Sequence, residues 1–188
     1  MKKGFTIVEL LMVIGIIGVL LGIVTTAAAG SIRQARAHKA DACCRVVEQG
    51  LATYYAQKGR WPGSIGSQIA GGNLSARSNS SGASNSSNDD LYVLDESEVD
   101  DMVTALVRES VSGGNPMLDI SGLYVSRSTS AKSRGMDFMD AIHGTKRSPK
   151  KMTLSEMHFG YPEAGSGYFR SFKIVYSIPS DEMKVSKQ

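Results

Sequence analysis

The chain has 188 residues, with 21 lysines and arginines against 18 aspartates and glutamates, and a formal net charge of +3 at pH 7. Without Lys2 and Lys3 the basic side chains outnumber the acidic ones by a single residue. This balance argues against a nucleic-acid partner, which would require a basic surface. The length that remains after an N-terminal apolar segment is enough for one small domain.

The N-terminal segment is apolar and long. No charged side chain occurs from Leu10 to Gly30, and Glu9 is the only charge in the apolar run that begins at Phe5. A bilayer core of about 30 Å takes roughly 20 apolar residues as a helix, so this segment is long enough to span a membrane. Glu9 therefore indicates a specific role, because a carboxylate within a membrane segment is energetically unfavourable.

The opening letters MKKGFTIVEL resemble the N-terminus of the type IV prepilin and type II secretion pseudopilin family. Lys2 and Lys3 form a short basic leader, Gly4 and Phe5 flank a cleavage site, and Glu9 follows at a fixed offset. A second patch with the letters YYAQKGRWP, at 54–62, looks like the end of the long helix in the major-pseudopilin branch.

The resemblance implies how the N-terminus is processed. Prepilin peptidase would cut between Gly4 and Phe5 on the cytoplasmic side and methylate the new amine of Phe5. Glu9 would then meet the N-terminal amine of a neighbouring subunit in a helical filament. The alternative is a plain signal anchor, in which Glu9 lies at the headgroup level and has no role in assembly.

The resemblance also implies partners and a location. The partners are copies of the same chain, prepilin peptidase, an inner-membrane assembly platform with its ATPase, and minor pseudopilins. The location is the bacterial inner membrane, crossed once, with a cytoplasmic N-terminus and a periplasmic or otherwise extracytoplasmic head. Arg33, Arg36 and Lys39 follow the span, so the positive-inside rule alone leaves the orientation ambiguous. These three residues would contact lipid headgroups or acidic groups of neighbouring subunits.

One long helix is predicted from Phe5 to about Lys58. Beyond the span, apolar residues recur every three or four positions and predict one buried face. That face comprises Ile32, Ala35, Ala42, Cys43, Val46, Val47, Leu51, Tyr54 and Tyr55. Gly59 is a suitable C-cap and Pro62 prevents continuation.

Three glycines, Gly15, Gly18 and Gly22, lie within the span. Gly18 and Gly22 form a G-x-x-x-G pair, which lets helices approach closely. Local melting of the helix on packing into a filament is an equal alternative, and chance is a weaker one.

The predicted organisation is a leader at 1–4, a membrane and filament-core helix at 5–30, the exposed half of that helix at 31–62, and a head at 63–188. A loop rich in serine and asparagine occupies 71–90. A second helix is predicted from Ser97 to Ser112, capped by Ser97 and stopped by the glycines and proline at 113–116.

No cofactor and no mapped metal site follow from the residues. The resemblance raises calcium in the head, near Asp89, Asp90, Asp95, Glu96, Asp100 and Asp101, but their spacing matches no calcium loop. Helix capping and solvation explain these acids more simply. Cys43 and Cys44 are adjacent and point about 100° apart on a helix, so they predict small buried residues rather than a disulfide.

The last third predicts β-structure. The best strand is 168–178, with Phe172, Ile174, Tyr176 and Ile178 on one face. Shorter candidates are 122–126, 136–139 and 152–159, and a polar tail at 180–188 closes the domain. The predicted fold class is therefore α+β and pilin-like, with the long helix packed on a small antiparallel sheet.

No catalytic pattern is present: the chain lacks G-x-S-x-G, P-loop and H-E-x-x-H sequences. His38, His143 and His158 predict surface or packing residues. The favoured function is a structural filament subunit of a type II secretion or type IV pilus-like machine. The alternatives are a membrane-anchored binding module that does not polymerise and a pseudopilin for DNA uptake.

Overall fold

The fold is seen in a computed structural model, which describes residues 6–72, 74, 91–112, 117–130, 132–145 and 151–187, with only the backbone at 26 and 27. Helix α1 spans Ile7–Lys58, which confirms the predicted long helix. The helix begins later than predicted, because Thr6 is its N-cap. It ends at Gly59, whose φ of 65° is left-handed and whose N–H donates to the Tyr55 carbonyl at 2.8 Å.

The first half of α1 is not covered by any other described part of the chain. Every large hydrophobic side chain described from Ile7 to Val24 is between 45% and 80% exposed. The most apolar 18-residue window of α1 has none of its residues buried. By length and composition α1 is able to cross a membrane, and it is the one such helix in the described part of the chain.

The second half of α1 packs on the head. Its buried residues are Ala40, Cys43, Cys44, Val47, Gly50, Leu51 and Tyr54. Ile32, Ala35 and Ala42, predicted on this face, are exposed. Ile32 and Ala35 precede the covered part of the helix, and Ala42 lies away from the stripe that passes through Ala40 and Val47.

Two further helices pack against each other, and the second of them also contacts α1. Helix α2, Gly63–Ala70, was not predicted, because its letters GSIGSQIA offer few apolar residues, although Ile65 is buried. Helix α3, Glu96–Ser112, confirms the predicted second helix and buries the apolar face Val99, Met102, Val103, Leu106 and Val107. Ser97 is not its cap: the Asp95 carboxylate accepts the Glu98 N–H at 2.9 Å and the Ser97 hydroxyl at 2.7 Å.

In the described part of the head the sheet has six antiparallel strands: β1 Leu91–Val93, β2 Tyr124–Ser126, β3 Met136–Asp137, β4 His158–Pro162, β5 Phe169–Ser177 and β6 Glu182–Lys187. Their order is β1-β5-β4-β2-β3, and β6 also pairs with β5. Strands β4 and β6 pack on α1, which confirms an α+β fold with the helix laid on an antiparallel sheet.

Several predicted strands have other boundaries. The segment 136–139 forms a two-residue strand and then a short helix, α4, at Phe138–His143. The segment 152–159 contains a 3-10 turn, Leu154–Glu156, and only its last two residues belong to a strand, β4. The predicted polar tail contains β6, in which Met183 and Val185 are buried. Ile178, predicted on the buried face of β5, is 41% exposed because it lies beyond the strand.

Candidate functional site

The start of α1 is a capping box formed by two side chains. The Thr6 hydroxyl accepts the Glu9 N–H at 3.3 Å, and the Glu9 carboxylate accepts both the N–H and the hydroxyl of Thr6 at 2.9 Å. The carboxylate thus satisfies backbone donors that a helix N-terminus leaves free, and it lies at the positive end of the helix dipole.

The structure places only some of the predicted N-terminal residues. The leader residues Lys2 and Lys3 and the cleavage pair Gly4 and Phe5 lie outside the described residues. Glu9 lies one turn into α1, within about 5 Å along the axis of the helix start. The predicted role of Glu9 in assembly, with a partner on another chain, stays a prediction.

The glycines of the span have open surroundings. A Cβ added at Gly15, Gly18 or Gly22 would meet no atom within 4 Å. Their spacing therefore leaves a smooth strip on a helix whose neighbouring side chains are all exposed. The strip is available for close approach by another helix, and the predicted packing role stays a prediction.

Residues 1–25 match the model of the prokaryotic N-terminal methylation motif. The chain carries a type IV prepilin signal. Together with the long apolar helix, the prepilin signal fits a membrane-anchored, pilin-like protein that is a substrate of prepilin peptidase. No curated protein and no solved structure matches the chain significantly, so the head is described from its own residues.

The head holds a second polar constellation around Asp181. Its carboxylate accepts hydrogen bonds from Trp61 Nε1 at 2.9 Å, from Tyr176 Oη at 3.0 Å and from Tyr55 Oη. Tyr55 and Trp61 stack with ring centroids 4.5 Å apart. Asp181 therefore ties the end of α1 and the segment after it to the turn between β5 and β6.

The electrostatics of Asp181 follow from these donors. Burial of the carboxyl acts to raise its pKa, but the three hydrogen bonds from Tyr55, Trp61 and Tyr176 outweigh it and hold the pKa below the ordinary 3.8. Asp181 also has a φ of 50°, a left-handed conformation that aspartate adopts more readily than most residues. These features describe a structural tie rather than a reactive group.

The predicted acidic neighbourhood is divided among separate partners. Asp100 accepts the Phe159 N–H at 2.8 Å and lies 2.6 Å from His158 Nδ1, and Asp101 accepts the Ser64 N–H at 2.7 Å. Among the described residues no group of three or more histidine, cysteine, aspartate or glutamate side chains could hold a metal. Asp89 and Asp90 lie outside the described residues, and the calcium hypothesis is untested.

Cys43 and Cys44 are free thiols buried under the head. Burial raises the pKa of both thiols to about 11. The Cys43 thiol donates to the Gly122 carbonyl at 3.3 Å. Both cysteines therefore act as small core residues that resist thiolate chemistry.

Two functional residues were missed at the level of sequence. Thr6 was detectable, because T-x-x-E before an apolar run is a capping-box pattern. Asp181 was not, because its partner Tyr55 lies 126 positions away and no local pattern links them.

Proposed function

We propose that this chain is a structural subunit of a type II secretion or type IV pilus-like filament. Prepilin peptidase cuts it between Gly4 and Phe5 and methylates Phe5, and a partner ATPase with an inner-membrane platform polymerises it. Before assembly it crosses the inner membrane once, with its N-terminus in the cytoplasm and its head outside. Minor pseudopilins are proposed as further partners.

The observation that carries the proposal is the prepilin signal at the start of an apolar helix whose first half is not buried against the head. Large hydrophobic side chains occur around the whole circumference of its first half. Exposed apolar surface of this extent requires either lipid or other helices as its surroundings. Lipid surrounds this surface while the subunit is in the membrane, and the helices of other subunits surround it in a filament core.

The charge at Glu9 favours a polymer over a simple anchor. In the single chain the N–H and the hydroxyl of Thr6 donate hydrogen bonds to the Glu9 carboxylate. Neither donor carries a charge, so the capping box does not neutralise the carboxylate. The amine created at Phe5 by cleavage would supply a cation on an adjacent subunit. Pairing with this amine reduces the free energy of placing the carboxylate in an apolar core.

We propose no catalytic role and no resident cofactor for the chain. His38 and His143 are exposed, and His158 is bonded to Asp100. The two alternatives are an anchored module that does not polymerise and a pseudopilin for DNA uptake. The second shares the proposed mechanism and differs in the machine, which is identified by the genes that flank the coding sequence.

The test is expression of the chain in its host or in a host with a matching assembly machine, followed by shearing and electron microscopy of the filament fraction. Filaments labelled by an antibody to the head are expected. Matched cells without the assembly ATPase are the control and should retain the chain in the membrane. A chain that is fully processed yet always monomeric in a competent host would contradict polymerisation and favour the anchored module.

A further inference from the structure

The end of the head nearest the span rests directly on α1. The Arg36 guanidinium donates to the Gly165 carbonyl at 3.4 Å. A Cβ added at Gly167, where φ is 73°, would lie 2.8 Å from Arg36 Cζ. The turn 163–168 therefore lies against the helix six residues after Gly30, the last residue of the uncharged run.

A second loop reaches the same level. The Phe169 N–H donates to the Ser133 carbonyl at 2.8 Å, and Tyr124 Oη donates to the Gly135 carbonyl at 2.9 Å. Lys39 Nζ lies 5.1 Å from the centre of the Tyr124 ring, which ties this loop to the adjacent turn of α1. The loop 132–135 and the turn 163–168 thus form the membrane-proximal edge of the head.

The length of the helix places this edge at the level of lipid headgroups. The uncharged run Leu10–Gly30 is about 31 Å long as a helix, which matches a hydrocarbon core of about 30 Å. Arg33 and Arg36 then lie about 5 Å and about 9 Å beyond the core. Each headgroup layer is roughly 5–8 Å thick, so both arginines and the turn beside Arg36 lie at or just above the phosphates.

This edge has an excess of positive charge, in what we call the basic rim, composed of Arg33, Arg36, Lys132 and Arg134. The carboxylates beside it are already paired in the ion pairs Glu163–Arg170 at 3.2 Å, Asp41–Lys187 at 2.6 Å and Asp137–Lys39. Arg33, Lys132 and Arg134 are exposed, and none has a carboxylate partner within the described ranges.

We propose that the basic rim binds the phosphates of anionic phospholipids while the subunit is anchored in the membrane. Phosphate is the anion that a rim at this depth meets first, and an anionic membrane surface attracts basic side chains next to a membrane span. This lipid contact depends on the membrane anchoring in the proposed function but not on polymerisation. A chain that does not polymerise would therefore leave the lipid contact valid, and a chain without the lipid contact could still polymerise.

The test uses the full chain, reconstituted as single copies in nanodiscs of phosphatidylcholine with or without phosphatidylglycerol at about one third of the lipid. Hydrogen exchange is measured by mass spectrometry in the segments 132–135 and 163–168. Exchange is expected to slow by about fivefold or more with phosphatidylglycerol, the factor that one cation near an anionic surface supplies. High salt should remove the difference.

Two charge-matched variants locate the effect. The triple variant Arg33→Gln, Lys132→Gln, Arg134→Gln should lose the dependence on phosphatidylglycerol. The control triple Arg60→Gln, Arg108→Gln, Lys184→Gln removes the same charge from exposed positions away from the rim and should keep it. Melting temperatures of both triple variants equal to that of the wild type would show that the head remains folded.

Three outcomes would overturn the proposal. The first is equal exchange with and without phosphatidylglycerol, and the second is an equal loss of lipid dependence in both triples, which would show a bulk charge effect. The third is protection that arises only in densely loaded vesicles of pure phosphatidylcholine. That result would assign the rim to a contact with acidic groups of a second copy.

Discussion

The Glu9 carboxylate is bonded to Thr6 of its own chain, through the Thr6 N–H and hydroxyl, both at 2.9 Å. Glu9 therefore has a local use in the single subunit, as the N3 residue of a capping box whose N-cap is Thr6. The same carboxylate is proposed to pair with the amine of Phe5 in a neighbouring subunit. The two roles differ in what they need: capping needs an acceptor oxygen, and pairing needs a negative charge.

Substitutions separate these two roles. Glu9→Gln keeps an acceptor that completes the box but removes the charge, whereas Thr6→Val removes the hydroxyl cap and keeps the charge. We expect Glu9→Gln to reduce the yield of sheared filaments by at least about tenfold. The charged amine of Phe5 in the neighbouring subunit would then be left unpaired in an apolar core, which is strongly unfavourable. Thr6→Val should reduce it far less, since a lost cap destabilises a helix by about 1 kcal/mol.

The processed fraction of each variant, measured on the membrane-bound chain, is the control for an effect on cleavage. Normal filaments from Glu9→Gln, together with a defect in Thr6→Val, would show that Glu9 acts as a cap alone.

Replacement of Asp181 should destabilise the head. Asp181→Ala leaves the Trp61 Nε1–H, in a side chain only 7% exposed, without its acceptor and also frees two tyrosine hydroxyls. We expect a loss of roughly 2–3 kcal/mol in the free energy of unfolding. Trp61 is the single tryptophan, so its fluorescence during denaturation of the full chain in detergent is the measurement. Asp181→Asn, which keeps an acceptor oxygen and tolerates the left-handed conformation, should lose less.

Stability should fall in acid through the same residue. Because the folded-state pKa of Asp181 is below the ordinary 3.8, its contribution is complete above that value and is lost as the pH falls through the folded-state pKa. Asp100 works in the opposite direction, since burial raises its pKa and its protonation favours the folded state. The difference in melting temperature between wild type and Asp181→Asn isolates the first effect. It should shrink below about pH 4, and a constant difference down to pH 2 would contradict the assignment.

The buried cysteines should be inert in the folded head. With pKa values of about 11, only about one thiol in a thousand is ionised at pH 8. Alkylation of Cys43 and Cys44 by iodoacetamide should therefore be on the order of 100-fold slower in the native chain than in the denatured chain. Mass spectrometry of timed samples gives both rates, and rapid native labelling would show that α1 separates readily from the sheet.

The two long helices could be predicted because their apolar residues repeat periodically. Elements that depend on a single pair of apolar residues, or on contacts remote in sequence, could not be predicted. The apolar residues from Val99 to Val107 repeat over about two and a half turns, so the position of α3 was clear. Strand β6 offers only Met183 and Val185 as alternating apolar residues, which is too short a pattern to outweigh its charges. At the N-terminus the motif of residues 1–25 carries the functional inference, whereas the Asp181 cluster required the fold because its members are remote in sequence.

The most direct test of the central claim is the N-terminal mass of the chain recovered from purified filaments of a competent host. We expect a chain that begins at N-methylated Phe5 and is present as a main component of the filament fraction. A chain confined to the membrane fraction with Met1 intact would contradict the proposed processing and assembly.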